Sequence, residues 1–275
     1  MNIRHLLFGR KKVPWHVRIA RTLGLALAVL WLVYLWQPFT FDFIPRRPPA
    51  QGKMYFPTDG VFGKGARVLV VTAHPDDDGY LIAGTLAKIH KSGALIANVL
   101  LTKGDKRYYV FVDWRKMAKI RQAEQEAASR HYTSQPPVFL DFWDGRTKMG
   151  ERMVEEIYRQ IQSFKPTAII SFDPEFPVRM SHRDHRNAGR ATFAAAKKAG
   201  FRGWFLGFQT MAPNCACDIS KEWDAKEAII DCYTSQYPPD RMPLVKGSAM
   251  ERAYQTGARF GMEMGEPFRA VRMGY

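Results

Sequence analysis

A histidine followed closely by three consecutive aspartates, His74-Pro75-Asp76-Asp77-Asp78, stands directly after the apolar run Val68-Leu-Val-Val-Thr-Ala73. Adjacent carboxylates repel one another unless a cation or hydrogen bonds stabilise them. A hundred residues on, Ser181-His182-Arg183-Asp184-His185-Arg186 places two imidazoles three apart with an acid between them. His74, Asp77 and His185 make a set of two imidazoles and one carboxylate with open positions for water. That set suits catalytic Zn²⁺, and Fe²⁺ uses the same ligand types. The plain alternative for the first cluster is a solvated turn in which Asp78 caps the next helix. For the second it is a surface helix start capped by His182 or Asp184.

The flanking patterns say how such residues are positioned. Short apolar, β-branched runs predict strands at about 67–73, 96–101, 138–142, 168–172 and 204–209. Helical patterns fall between them, at about 79–92, 114–132, 151–164, 185–199 and 221–233, with a further one near 246–260. Alternation of this kind predicts an α/β fold with a Rossmann-like, mostly parallel sheet and helices on both faces. In such a sheet the first and fourth strands are neighbours at the switch point, where ligands bind beyond the carboxyl ends of strands. His74–Asp77 and His182–His185 follow those two strands, so the fold would bring them together.

The pair Ala73-His-Pro-Asp-Asp-Asp78 and His182-x-x-His185 resembles the PIG-L/LmbE family of zinc-dependent N-acetylglucosaminyl deacetylases. Further matches run in the family's order: Leu101-Thr-Lys-Gly104, Arg121-x-x-Glu124, Leu140-Asp-Phe-Trp-Asp144-Gly145, and Lys226 followed by Ser235-Gln236. The likeness covers about Arg67 to Gln236. It departs at Asp78, where the family's first motif ends in Glu, and at Tyr233, where members often carry His. The resemblance implies metal ligation by His74, Asp77 and His185, with Asp76 as general base. His182, held by Asp184, would donate to the oxyanion if protonated, and Arg121 and Asp144 would contact the substrate. A bound zinc ion lowers the pKa of its water and polarises a carbonyl.

Charge is unevenly spread. The net charge is +15, and residues 1–67 hold 11 Lys/Arg against Asp42 and Asp59. Residues 1–18 read as a basic tail, 19–40 as a transmembrane anchor of about the twenty residues a bilayer requires, 41–64 as a Pro-rich linker, and 65–275 as the catalytic domain. The expectation is a single-pass membrane protein with its C-terminal domain translocated. The basic tail beside an apolar segment points to anionic lipid rather than nucleic acid. Cys215, Cys217 and Cys232 lack the spacing of a disulfide framework or zinc ribbon and read as core or loop thiols.

The function this predicts is a membrane-anchored N-deacetylase acting on an N-acetylglucosamine-containing glycan or glycolipid, lipid- or polysaccharide-linked. The rivals are a membrane-anchored nucleotide-sugar glycosyltransferase, which gives no reason for His182-x-x-His185, and a non-catalytic glycan-binding protein, which predicts a missing ligand.

Overall fold

The computed structural model describes residues 19, 22–31, 62–106, 113–177 and 182–274, and the chain divides into two units, Met1–Ile44 and Pro45–Tyr275. In the first unit residues 22–31 are helical, with Leu23, Leu25, Leu27 and Trp31 exposed. Ten helical residues rise about 15 Å, half of the roughly 30 Å of a bilayer's hydrocarbon core. No helix among the described residues is long and apolar enough to cross a membrane. The expected transmembrane anchor, and with it the single-pass localisation and the membrane as partner, is therefore corrected. The expected basic tail lies outside the described residues, as does the linker up to residue 61. Phe62, inside that expected linker, is buried in the core.

The second unit alternates strand and helix as β1 (Arg67–Thr72), α1 (Asp77–Lys91), β2 (Leu95–Thr102), α2 (Trp114–Ser129), β3 (Val138–Phe142), α3 (Glu151–Phe164), β4 (Ala168–Phe172), α4 (Arg183–Lys198) and β5 (Gly203–Phe208). Then come β6 (Cys215–Asp218), α5 (Trp223–Ile230), α6 (Met242–Phe260) and β7 (Gly265–Met273). Strand order is β3-β2-β1-β4-β5-β7-β6. The first five strands pair in parallel, while β7 runs antiparallel to both β5 and β6. The sheet is thus mixed, and β6 and β7 were not predicted. Short β6 holds Cys215 and Cys217 buried, where burial pushes both thiols up to about 12.

The central strands are apolar on both faces because helices cover both. Val68, Leu69, Val70 and Val71 of β1 and Ile169 and Ile170 of β4 are fully buried, each contributing about 1.5–3 kcal/mol. Val68 to Val71 pair with Ala168 to Ser171 in unbroken register. The carboxyl ends of β1 and β4 therefore lie side by side, and the loops that follow them share one crevice.

A buried ion pair ties α1 to the C-terminal extension. Lys226 of α5 donates from Nζ to Glu266 Oε1 (2.5 Å) and to Tyr80 O (2.9 Å). Glu266 in turn accepts from the consecutive amides of Gly84 (3.1 Å) and Thr85 (2.7 Å). The helix that begins with the aspartate cluster is thereby fixed against β7.

Candidate metal and active site

The two sequence clusters meet at the β1/β4 crevice. Asp77 opens α1, and its Oδ2 accepts from the amides of Ala73 (3.0 Å) and His74 (2.7 Å). That leaves Oδ1 facing His185 Nε2 at 3.1 Å. His185, in the first turn of α4, stacks on Phe172 with centroids 4.2 Å apart and planes 14° apart. Its Nδ1 lies 3.1 Å from Gln209 Oε1, an acceptor, so Nδ1 carries the proton and Nε2 presents its lone pair to Asp77. Two bases this close need a proton or a cation between them.

His74 completes the set. Its Nδ1 is 3.5 Å from Asp77 Oδ2, while Nε2 lies 3.2 Å from Asp144 Oδ1 and 3.3 Å from Asp184 Oδ2. An Nε2–H donated to those carboxylates orients the ring and leaves Nδ1 to ligate, the carboxylate–histidine–metal arrangement that tunes zinc ligands. Burial alone would lower the His74 pKa, but Asp77, Asp144 and Asp184 outweigh it and hold it well above the ordinary value. Burial would raise Asp77, yet His185 and His74 hold it well below the usual carboxylate range. Among the described residues, the groupings whose donor atoms lie close enough to share an ion are His74/His182/His185 and His74/Asp144/Asp184, and Asp77 of the expected set is in neither. In the second, Asp184 already accepts from Gly145 N (2.5 Å) and Thr147 Oγ1 (2.6 Å). Asp77 with His185 is the better pair of open donors, and the nitrogen–oxygen set fits zinc.

Asp76 sits beside this set but belongs to different partners. Its backbone is in the left-handed region (φ 98°), an uncommon conformation for a residue with a Cβ and one that concentrates at functional sites. Oδ1 accepts from Arg121 Nη2 (3.0 Å) and Oδ2 from Tyr237 OH (3.0 Å). Burial pushes its carboxyl up to about 6, opposed by Arg121 and assisted by Asp77.

Arg121, expected at the substrate, is buried. Only 4% exposed, it donates to Asp76, to Gly104 O (3.3 Å) and to Pro75 O, and its Nη1 lies 3.8 Å from Asp144. It clamps the aspartate turn from behind instead of lying open to substrate. Gly104 (φ 66°) makes room for it, because a Cβ there would stand 2.5 Å from Arg121 Nη1. Asp144 is buried as well, and accepts at Oδ2 from the Lys106 amide (3.2 Å).

His182 caps α4, its Nδ1 accepting from Asp184 N at 3.3 Å. Nε2 therefore carries the proton in the neutral ring. Burial, with His74 and His185 nearby, lowers its pKa to about 4, so neutral is the form it holds. Asp184's carboxylate lies 3.9 Å from His182 Nδ1, farther than from His74. The expected Asp184–His182 hydrogen bond is thus formed by the Asp184 amide, while its carboxylate orients His74. Hydrogen bonds from His74 and Thr147 outweigh burial and hold that carboxylate below the ordinary range.

The two departures from the family pattern touch one another. Asp78 is fully buried. Its Oδ2 accepts from Asn98 Nδ2 (2.9 Å), Gln125 Nε2 (2.9 Å) and Tyr132 OH, and its Oδ1 from Tyr233 OH (3.1 Å). Tyr233 packs its ring edge against Gly79, where a Cβ would fall 2.3 Å from ring carbon Cε2. The shorter carboxylate is met by a longer phenol. Gln125 Oε1 also accepts from the Asp76 amide (3.3 Å), which links this network to the left-handed turn. Glu124, the other half of Arg121-x-x-Glu124, accepts from Ser235 N and Oγ, both at 2.6 Å, and so sets the turn that presents Tyr237.

Sequence reasoning missed Gln125, Thr147, Gln209 and Tyr237. Gln209, a polar residue just past the carboxyl end of apolar β5, carried the one readable signal.

Histidine and carboxylate donors close enough to share an ion, at the switch point of an α/β sheet, make the site of a metal-dependent amidohydrolase. Residues 69–196 match the PIG-L family, described as GlcNAc-PI de-N-acetylase, and the chain carries a PIG-L family domain. Zinc is its metal. The chain is 27% identical to a diacetylchitobiose deacetylase from Thermococcus kodakarensis, covering 80% of this chain and 88% of that one. It is 26% identical to a 1D-myo-inositol 2-acetamido-2-deoxy-alpha-D-glucopyranoside deacetylase from Nocardia farcinica, with coverage of 50% and 54%. The fold is shared with N,N'-diacetylchitobiose deacetylase from Pyrococcus horikoshii: TM-score 0.71, 21% identity, 86% and 90% coverage.

Proposed function

We propose that this enzyme hydrolyses the acetamide of an N-acetylglucosamine-containing glycan, releasing acetate and the free amine. The observation that carries the reading is the open Asp77–His185 donor pair, 3.1 Å apart, in the turn that also presents Asp76. Relatives named as deacetylases of acetamido sugars support it.

His74 Nδ1, Asp77 Oδ1 and His185 Nε2 would hold zinc. When bound, the ion supplies a water of lowered pKa and polarises the acyl oxygen. Asp76, with its carboxyl near 6, takes the proton of the attacking water and returns it to the nitrogen as the C–N bond breaks. Arg121 and Tyr237 hold its two oxygens in orientation. His182 donates Nε2–H to the oxygen that gains negative charge, and being neutral it loses no proton in doing so.

The test is amine release from N-acetylglucosaminides by zinc-loaded protein. Asp76→Asn retains zinc and loses at least about 100-fold in turnover, whereas His185→Ala loses the zinc itself. Wild-type turnover by Asp76→Asn would remove the base assignment.

A further inference from the structure

We propose that Trp114 and Trp143 form a platform that stacks a second sugar ring, so that the substrate is an acetamido sugar within an oligosaccharide. This rests on the deacetylase reading above. Trp114 is 46% and Trp143 58% exposed, and their rings are in contact, with centroids 5.2 Å apart and planes at 50°. Paired exposed indoles are unusual on a surface with no ligand to cover them.

Their position is set by the same elements that build the site. Trp143 directly precedes Asp144, whose carboxylate reaches His74, just beyond the carboxyl end of β3. Trp114 opens α2, seven residues before Arg121, or about 10 Å along the helix. Trp143 is thus the chain neighbour of a residue in contact with His74, and Trp114 is in ring contact with Trp143. A β-bulge aims it. Leu100 and Thr102 of β2 pair with Phe139 and Phe142 of β3, so β3 carries one extra residue. Asp141 takes up that residue in the left-handed region (φ 62°) and is held by Lys103 Nζ at 2.5 Å. Bulges of this kind re-aim the side chains that follow, and they cluster beside active sites.

The surroundings select a sugar over an acyl chain. Exposed Asp113, Arg115, Lys116, Asp141 and Arg146 lie within three residues of one or other tryptophan along the chain, and the Arg115 guanidinium covers one face of Trp114 at 4.9 Å. A pyranose offers one face of C–H bonds and a rim of hydroxyls, which matches an aromatic face within a polar border. An alkyl chain would leave that border unmatched.

The experiment compares N-acetylglucosamine, diacetylchitobiose and triacetylchitotriose with the zinc-loaded full chain and its Trp143→Ala, Trp114→Ala and Trp143→Phe variants. The expected result is a loss that grows with chain length, reaching on the order of tenfold in kcat/KM on the trisaccharide, carried by KM. Trp143→Phe restores most of it. An equal loss on all three substrates, or none on the trisaccharide, overturns the platform. Quenching of tryptophan fluorescence by triacetylchitotriose gives a reading independent of turnover. If no substrate releases amine but quenching persists in wild type and vanishes in Trp143→Ala, the deacetylase reading fails and the platform stands. Displacement of the trisaccharide by an alkyl chain lacking a sugar, such as decanol, overturns the choice of a sugar.

Discussion

His185 shows how much of this site depends on single atoms. Its Nε2 can serve a cation because Gln209 accepts at Nδ1. Gln209→Leu removes that acceptor without removing a ligand, and zinc affinity falls about 10–100-fold, as measured by competition with a chelator. Unchanged affinity would show that Phe172 stacking alone orients the ring. Asp76 gives a second residue-scale test, in metal-stripped protein. Its folded-state carboxyl near 6 lies above its ordinary value, so between about pH 4 and 6 the folded chain holds a proton that the unfolded chain has released. Its contribution to stability is therefore complete below about pH 4 and lost as pH rises through 6. Relative to Asp76→Asn, metal-free wild type loses stability across that window and not above it, which urea denaturation at a series of pH values would register. The histidines and aspartates proposed as ligands were legible in the sequence because their residue types carry the chemistry. The neighbours that set tautomer and charge were not, since a glutamine or tyrosine advertises nothing until it is placed.

Among the elements, the left-handed turn between β1 and α1 is what all the others serve. The Asp78 network, the Arg121 clamp and the Lys226–Glu266 pair each hold it from a different side. Asp78 and Tyr233 fill one closed space. Asp78→Glu alone adds a methylene to a packed polar pocket and costs about 1–3 kcal/mol. Tyr233→His alone leaves Asp78 short of a donor and costs about as much. Together they offset one another, with a coupling above about 1 kcal/mol in a double-mutant cycle; simple additivity would show that the two positions are independent. The strands and helices from β1 to β5 followed from periodicity, because a run buried on both faces reads as such in isolation. β6 and β7 escaped notice. Cys215-Ala-Cys-Asp218 is short, and Gly265–Met273 interrupts its apolar residues with Glu266, Arg269 and Arg272, the first two of which meet partners elsewhere in the chain. Arg269, for example, binds Asp173 through Nη2 at 2.7 Å.

At the scale of the whole molecule, the apolar core contains none of the candidate ligands His74, Asp77 and His185. The ligands hang from the ends of β1 and α4, whose packing is complete without them. Stripping zinc therefore lowers the melting temperature by about 5–10 °C while one cooperative transition remains, as calorimetry would show; loss of the transition would mean that the metal organises the fold. The N-terminal unit shows the limit of composition: an apolar, aromatic-ended run predicted a span, and the helix described there is too short to be one. The amino-acid sequence by itself determined the strand–helix alternation, the two clusters and the ions they suit, because each depends on neighbours a few residues away. Only the tertiary structure decided which nitrogen of His74 faces which acid, that Arg121 is buried, and that Asp78 meets Tyr233. The longest of those contacts joins residues 155 positions apart, and the path of the chain between them is set by the packing of the entire sheet.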